Sequence, residues 1–182
     1  LWPESRHKSR KIALGLWPLF PTRLTHQFIE AIAMIAKTQQ KRSIKVRAAT
    51  TLIEFSNQGR VSDEDALLLF DVFMDLFKSV SHTEIIEALA TFFLQIHKDQ
   101  WERQLPSIIF GEGDLDDKLI LMGAIAERTQ LHDCFFDLLQ GLVDQIKTQR
   151  DFIGACIALM EINDITHPMV PQIVHIVIEK YV

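Results

Sequence analysis

Cysteine, tyrosine, proline and glycine are all scarce in this chain of 182 residues, at two, one, six and seven. Two cysteines, Cys134 and Cys156, build no disulfide framework, so the sequence points to a reducing compartment, and an intracellular, cytoplasmic setting is expected. The few Gly and Pro leave little punctuation for many short strands, and β-branched alternation is rare, which favours an all-α chain. No H-x3-H or H-E-x-x-H pair occurs among seven scattered histidines, so no metal and no cofactor is expected. Apolar runs are interrupted before the ~18–20 residues that a membrane span needs, and no signal peptide is read.

What is present is a large apolar fraction, 48%, with 12 Phe, enough for one sizeable core. Charge is uneven. Residues 1–60 carry 11 basic and 3 acidic side chains, a net of +8, and residues 61–182 carry 8 and 21, a net of −13. The split reads first as solvated faces plus a basic leader, and second as an end for anions and a body for basic partners.

The region 61–98 organises the chain. Ser62 suits an N-cap ahead of Asp63, Glu64 and Asp65. Apolar residues then crowd a helix whose polar stripe is Asp71, Asp75 and Lys78. Ser81 and Glu84 have the spacing of a capping box, and Val80 and Ile85 that of a hydrophobic staple. The second helix turns Ile85, Ile86, Leu89, Phe92, Phe93 and Ile96 toward a core, and the short turn makes the two antiparallel neighbours.

The other segments follow the same plan. Residues 1–21 form a leader arm, basic and then apolar, which packs over the first pair or, in a rival reading, anchors to a membrane or partner. Residues 22–182 form one domain with helical pairs at 22–57, 62–97, 99–128 and 131–162 and an unpaired last helix at 168–182. Gly59 can cap the first pair. Pro106 predicts a kink or a helix start near Leu105. Thr148 with Asp151 can cap the helix around 152–161. The residues Glu112, Asp114, Asp116 and Asp117 read as a solvated acidic loop without EF-hand spacing.

Four second-helix segments align without gaps, starting at Val46, Ile85, Leu119 and Phe152, which lie 39, 34 and 33 residues apart. A period in the 30s built from two helices marks an α-solenoid. The run Val46-Arg47-Ala48-Ala49…Leu52 resembles the second helix of a HEAT repeat. Leu105-Pro106-Ser107-Ile108 and Val170-Pro171-Gln172-Ile173 resemble the L-P-x-L/I opening of its first helix. The resemblance covers about residue 22 to the end. It implies a right-handed, armadillo-like superhelix of about nine helices in antiparallel pairs, and it implies no chemistry.

Candidate chemistry is thin. His132-Asp133-Cys134 places three reactive types side by side, but neighbours at a helix start do not face each other, and a structural thiol is expected. Cys156 reads as core. Lys41, Arg42, Lys45 and Arg47 form a basic patch near a helix start, against the helix dipole. Phosphate binding needs several cations along one track, and past residue 60 the second helices are neutral or acidic, which argues against nucleic acid.

The function expected is therefore a non-catalytic protein–protein interaction module, a segment of a scaffold or adaptor. Its concave face would carry the contacts through Thr51, Glu54, Glu84, Glu87, Thr91, Gln95 and Asp117, favouring a basic segment. The alternative is an enzyme of HEAT-like build, a nucleic-acid-binding DNA glycosylase type or a pigment lyase. The apolar last helix suggests continuation of the stack or self-association at that end.

Overall fold

The structure, a computed structural model, describes residues 22–57 and 61–181. The leader arm and the Gly59 cap lie outside the described residues. Within them every regular element is an α-helix. In chain order these are α1 Thr22–Thr38, α2 Arg42–Ser56, α3 Asp63–Phe77, α4 Thr83–Ile96, α5 Trp101–Ile109, α6 Leu115–Arg128, α7 Asp133–Val143, α8 Gln149–Met160 and α9 Met169–Tyr181. The all-α class expected from the sequence is what the chain adopts.

Two starts are set by side chains as the sequence implies. Ser62 and Asp65 form a reciprocal capping box at α3, and Thr148 and Asp151 form another at α8. A third departs from expectation. His82, not Ser81, is the N-cap of α4, and no side chain caps it. The Ser81 hydroxyl instead donates to Asp117 Oδ1 at 2.7 Å, where a buried carboxylate needs a donor more than an exposed helix end does. Of the kink or helix start expected at Pro106, the start near Leu105 is not taken. α5 starts at Trp101 and runs through the proline. Buried Trp101 and Leu105 hold the turn before it. Only the carbonyl of Glu102, four residues back, loses its helical donor, and Glu102 is partly exposed to water.

Contact skips one helix along the chain. α2 packs on α4, α4 on α6 and α6 on α8, while α1 packs on α3, α5 on α7 and α7 on α9. Between the two series, α1 meets α2, α3 meets α4, α6 meets α7 and α8 meets α9. One contiguous core fills the space, with Phe73, Phe93, Phe135 and Phe136 fully buried and Phe73 stacked on Phe92 at 5.5 Å.

Histidine–carboxylate pairs link the α1–α3, α5–α7 and α7–α9 neighbours. His26 Nδ1 lies 2.6 Å from buried Asp65, His132 Nε2 lies 3.2 Å from Glu102, and His167 Nε2 lies 3.1 Å from Asp133. The hydrogen bond to Asp65 raises the His26 pKa above the usual imidazole range, against the opposing effect of burial. His167 also stacks flat on Phe136, with ring centres 3.8 Å apart.

α6 and α8 approach closely, and small residues permit it. A Cβ on Gly123 would meet the Ala158 Cα at 3.0 Å, and one on Gly154 would meet the Asp116 carbonyl oxygen at 3.1 Å. On the far side of α8, Ile153, Ile157 and Met160 are exposed at i, i+4 and i+7. The last helix itself buries Val170, Ile173 and Val177 and exposes Ile178 and Tyr181.

The glycines give a paired test. Gly141 has open space around it, so Gly141→Ala should stabilise the fold by about 0.5–1 kcal/mol through helix propensity alone. Gly123→Ala should instead destabilise by about 1–3 kcal/mol, because the Ala158 backbone must give way. Urea denaturation of both variants checks the opposite signs.

Candidate functional site

The starts of α2, α4, α6 and α8 meet at one polar edge. Arg42 Nη2, in the first turn of α2, donates to the Ser81 carbonyl at 2.7 Å. The Ser81 hydroxyl donates to Asp117, in the first turn of α6, and accepts from Arg150 Nη2 of α8 at 2.7 Å. Arg150 Nε pairs with Asp116, and its Nη2 lies 4.0 Å from Asp117 Oδ1. Asp116 and Asp117 are 5% and 2% exposed, so of the acidic loop expected to be solvated only Glu112 and Asp114 face water. Burial pushes the Asp117 pKa up, partly offset by the Ser81 bond and the Arg150 charge. Asp114, Asp116 and Asp117 bring their oxygens within 4.8 Å of one another, but the cation already among them is Arg150.

Beyond this edge α2 and α4 run side by side and leave a groove of about 410 Å³ between them. Glu54 comes from α2, and Glu84, Glu87 and Thr91 from α4. Thr50, Ile53 and Asn57 complete the α2 wall, buried Phe92 forms part of the other, and Arg128 reaches in from α6. Among the described residues no cation pairs with Glu84 or Glu87, both of which are exposed. Arg128 is committed elsewhere, to Glu127 at 2.6 Å and to the Ala124 carbonyl at 2.7 Å. The Thr91 hydroxyl donates to the Glu87 carbonyl at 3.0 Å and keeps its acceptor capacity.

Of the seven partner-binding positions read from the sequence, Glu54, Glu84, Glu87 and Thr91 therefore share one groove. Thr51 is half-buried, is not part of the groove wall, and bonds the Arg47 carbonyl. Gln95 lines a separate hollow with Asp63, Leu67 and Lys98. Asp117 is buried in the polar edge. Periodicity places a polar residue on a helix face but does not say which neighbour flanks it. For that reason Thr50, Asn57 and Arg128 carried no signal in the sequence.

The basic patch opens onto a second hollow of about 590 Å³ at the start of the same α2–α4 seam. Arg42, Arg47, Ser43, Thr50 and His82 line it with Val46. Among the described residues none of Lys41, Arg42, Lys45 and Arg47 forms an ion pair. α2 has no acidic residue in its first turn and no side-chain cap. Cations in that position oppose the helix dipole at ~0.3–1 kcal/mol each. His82 Nδ1, beside them, is a buried polar atom with no hydrogen-bond partner.

The His132-Asp133-Cys134 run is dispersed, with His132 on Glu102 and Asp133 on His167. Burial and the nearby Glu102 charge push the Cys134 thiol pKa up, away from a reactive thiolate. No helix among the described residues is long and apolar enough to cross a membrane. No family model, no curated protein and no solved structure matches this chain.

Removing Arg150 tests the polar edge. Arg150→Met keeps the apolar stem but leaves Asp116 and Asp117 facing each other without a counter-charge, and should cost about 1–3 kcal/mol of stability. Adding Asp117→Asn should restore part of that loss. Denaturant midpoints of the single and double variants supply the comparison.

Proposed function

We propose that this chain is a non-catalytic protein-interaction module, a segment of a scaffold or adaptor. We propose further that it is built as a right-handed α-solenoid of the HEAT and armadillo kind and takes a basic partner segment in the α2–α4 groove. The solenoid reading draws its support from the contacts that skip one helix and from the 33–39-residue spacing of the aligned second helices. The binding reading rests on one observation: Glu84 and Glu87 line one groove and, among the described residues, pair with no cation.

Glu84 and Glu87, three residues apart on one helix, repel one another, and a Lys or Arg side chain seated against them removes that repulsion. The apolar strip at Ile53, Ala88 and Phe92 suits the methylene stem of such a side chain. The rim charges would mainly steer encounter and select the sign of the partner, so binding should weaken with salt. The hydroxyls of Thr50, Ser56 and Thr91 each donate to a backbone carbonyl, and the reading stays with binding.

The test is a labelled Lys/Arg-rich peptide titrated into the wild-type chain and into Glu84→Lys/Glu87→Lys. Both residues are exposed, so the fold should survive the change. Affinity at low salt should fall at least tenfold, about 1.4 kcal/mol or more. Unchanged affinity in the double variant would rule the groove out as the contact surface.

A further inference from the structure

His26 of α1 faces two carboxylates at once. Its Nδ1 lies 2.6 Å from Asp65 Oδ1 of α3, and its Nε2 lies 3.4 Å from Glu30 Oε1, one turn along its own helix. A neutral imidazole carries one N–H, so it serves one of them and turns a lone pair on the other. The imidazolium alone satisfies both. We infer that His26 is a proton-loaded latch: the protonated ring ties α1 to α3, and the tie slackens as rising pH removes the proton. This inference is independent of the α2–α4 groove.

Three observations carry it. First, Asp65 depends on this ring. The residue is 1% exposed, and among the described residues no Lys or Arg pairs with it. Its other oxygen, Oδ2, takes the Ser62 hydroxyl at 2.8 Å and the Ser62 amide at 3.4 Å, in the capping box that starts α3. A buried carboxylate stripped of its counter-charge is costly, so docking of α1 holds the proton and the proton holds α1. Second, the charged groups that face the ring are carboxylates. α3 brings Glu64 as well as Asp65, α1 brings Glu30, and α2 brings no ion-pair partner among the described residues. The bond to Asp65 leads these groups in raising the His26 pKa, and burial opposes it. Third, the other histidine links between helices are built differently. His167 Nδ1 accepts the Met169 amide at 3.3 Å, which leaves Nε2–H for Asp133 and makes that ring neutral. His132 faces Glu102 alone, and both are exposed. Lys37 and Asp75 also join α1 to α3, at 3.6 Å, but as exposed groups, whose pairing adds little.

The direction follows from the raised pKa. The latch is complete below the ordinary imidazole pKa and is lost as pH rises through the raised one. The proton leaves to water from Nε2, on the side of the exposed Glu30, while Nδ1–H stays on Asp65. α1 therefore slackens without detaching.

The experiment follows the His26 ring and the α1 amides of the full chain by NMR between about pH 5.5 and about pH 8.5, where an imidazole titrates. The wild-type ring should titrate above the ordinary imidazole value. Protection of the α1 amides, corrected for the intrinsic pH dependence of exchange, should fall about threefold or more across that midpoint. His26→Gln should abolish this fall. Glu30→Gln, at an exposed position that leaves the fold intact, should lower the His26 midpoint. A ring that titrates at or below the ordinary value would overturn the latch, and so would an unmoved midpoint in Glu30→Gln. Protection of α1 that stays flat through the midpoint in wild type, or that falls equally in His26→Gln, would overturn it as well.

Discussion

One residue at a helix–helix turn, Ser81, holds the starts of four helices in register. Its carbonyl takes Arg42 from α2, its hydroxyl serves Asp117 of α6, and Arg150 of α8 closes on the same hydroxyl. The strength of this arrangement comes from what it prevents. Asp116 and Asp117 are nearly inaccessible to water, and a buried carboxylate without a partner costs far more than the net gain of an ordinary hydrogen bond. Any slide of α6 relative to α4 or α8 would strand one of them. The polar edge thus specifies alignment, and the apolar core supplies the driving force.

That alignment makes the seam. With the α2 and α4 starts tied at one edge, Glu54, Glu84 and Glu87 line one groove between the two helices, and Arg47 and His82 line the hollow beside it. Further along the same run, α6 and α8 are joined by close packing as well as by the Arg150 ion pairs. Gly123 and Gly154 let α6 and α8 approach until backbone meets backbone. One end of the run is therefore closely packed and rigid, and the other leaves charges on open walls. A rigid support beneath a charged groove limits the ordering cost that a partner would have to overcome.

The sequence disclosed the elements better than the relations among them. The capping boxes at Ser62 and Thr148, the helical content and the core faces of α4 are local signals, and they were legible as such. Ser81 misled because its local role, an N-cap, lost to a tertiary one 36 residues away. Asp116 and Asp117 misled for the same reason, since their counter-charge arrives from Arg150 on another helix. Pro106 suggests a helix start near Leu105, but anchoring of Trp101 and Leu105 in the core outweighs one lost backbone bond. For the groove, Glu54, Glu84, Glu87 and Thr91 were identified by polarity and period. Their convergence with Thr50, Asn57 and Arg128 depends on how far α2 and α4 are offset, which no local pattern encodes.

We propose the α2–α4 seam as the surface this chain offers to a partner. The most direct measurement is residue-resolved amide NMR of the labelled chain during titration with the Lys/Arg-rich peptide. Shifts confined to the seam, at Thr50, Glu54, Glu84, Glu87 and Thr91, are the predicted result. Shifts centred instead on the exposed Ile153, Ile157 and Met160 of α8, with the seam unchanged, would contradict it.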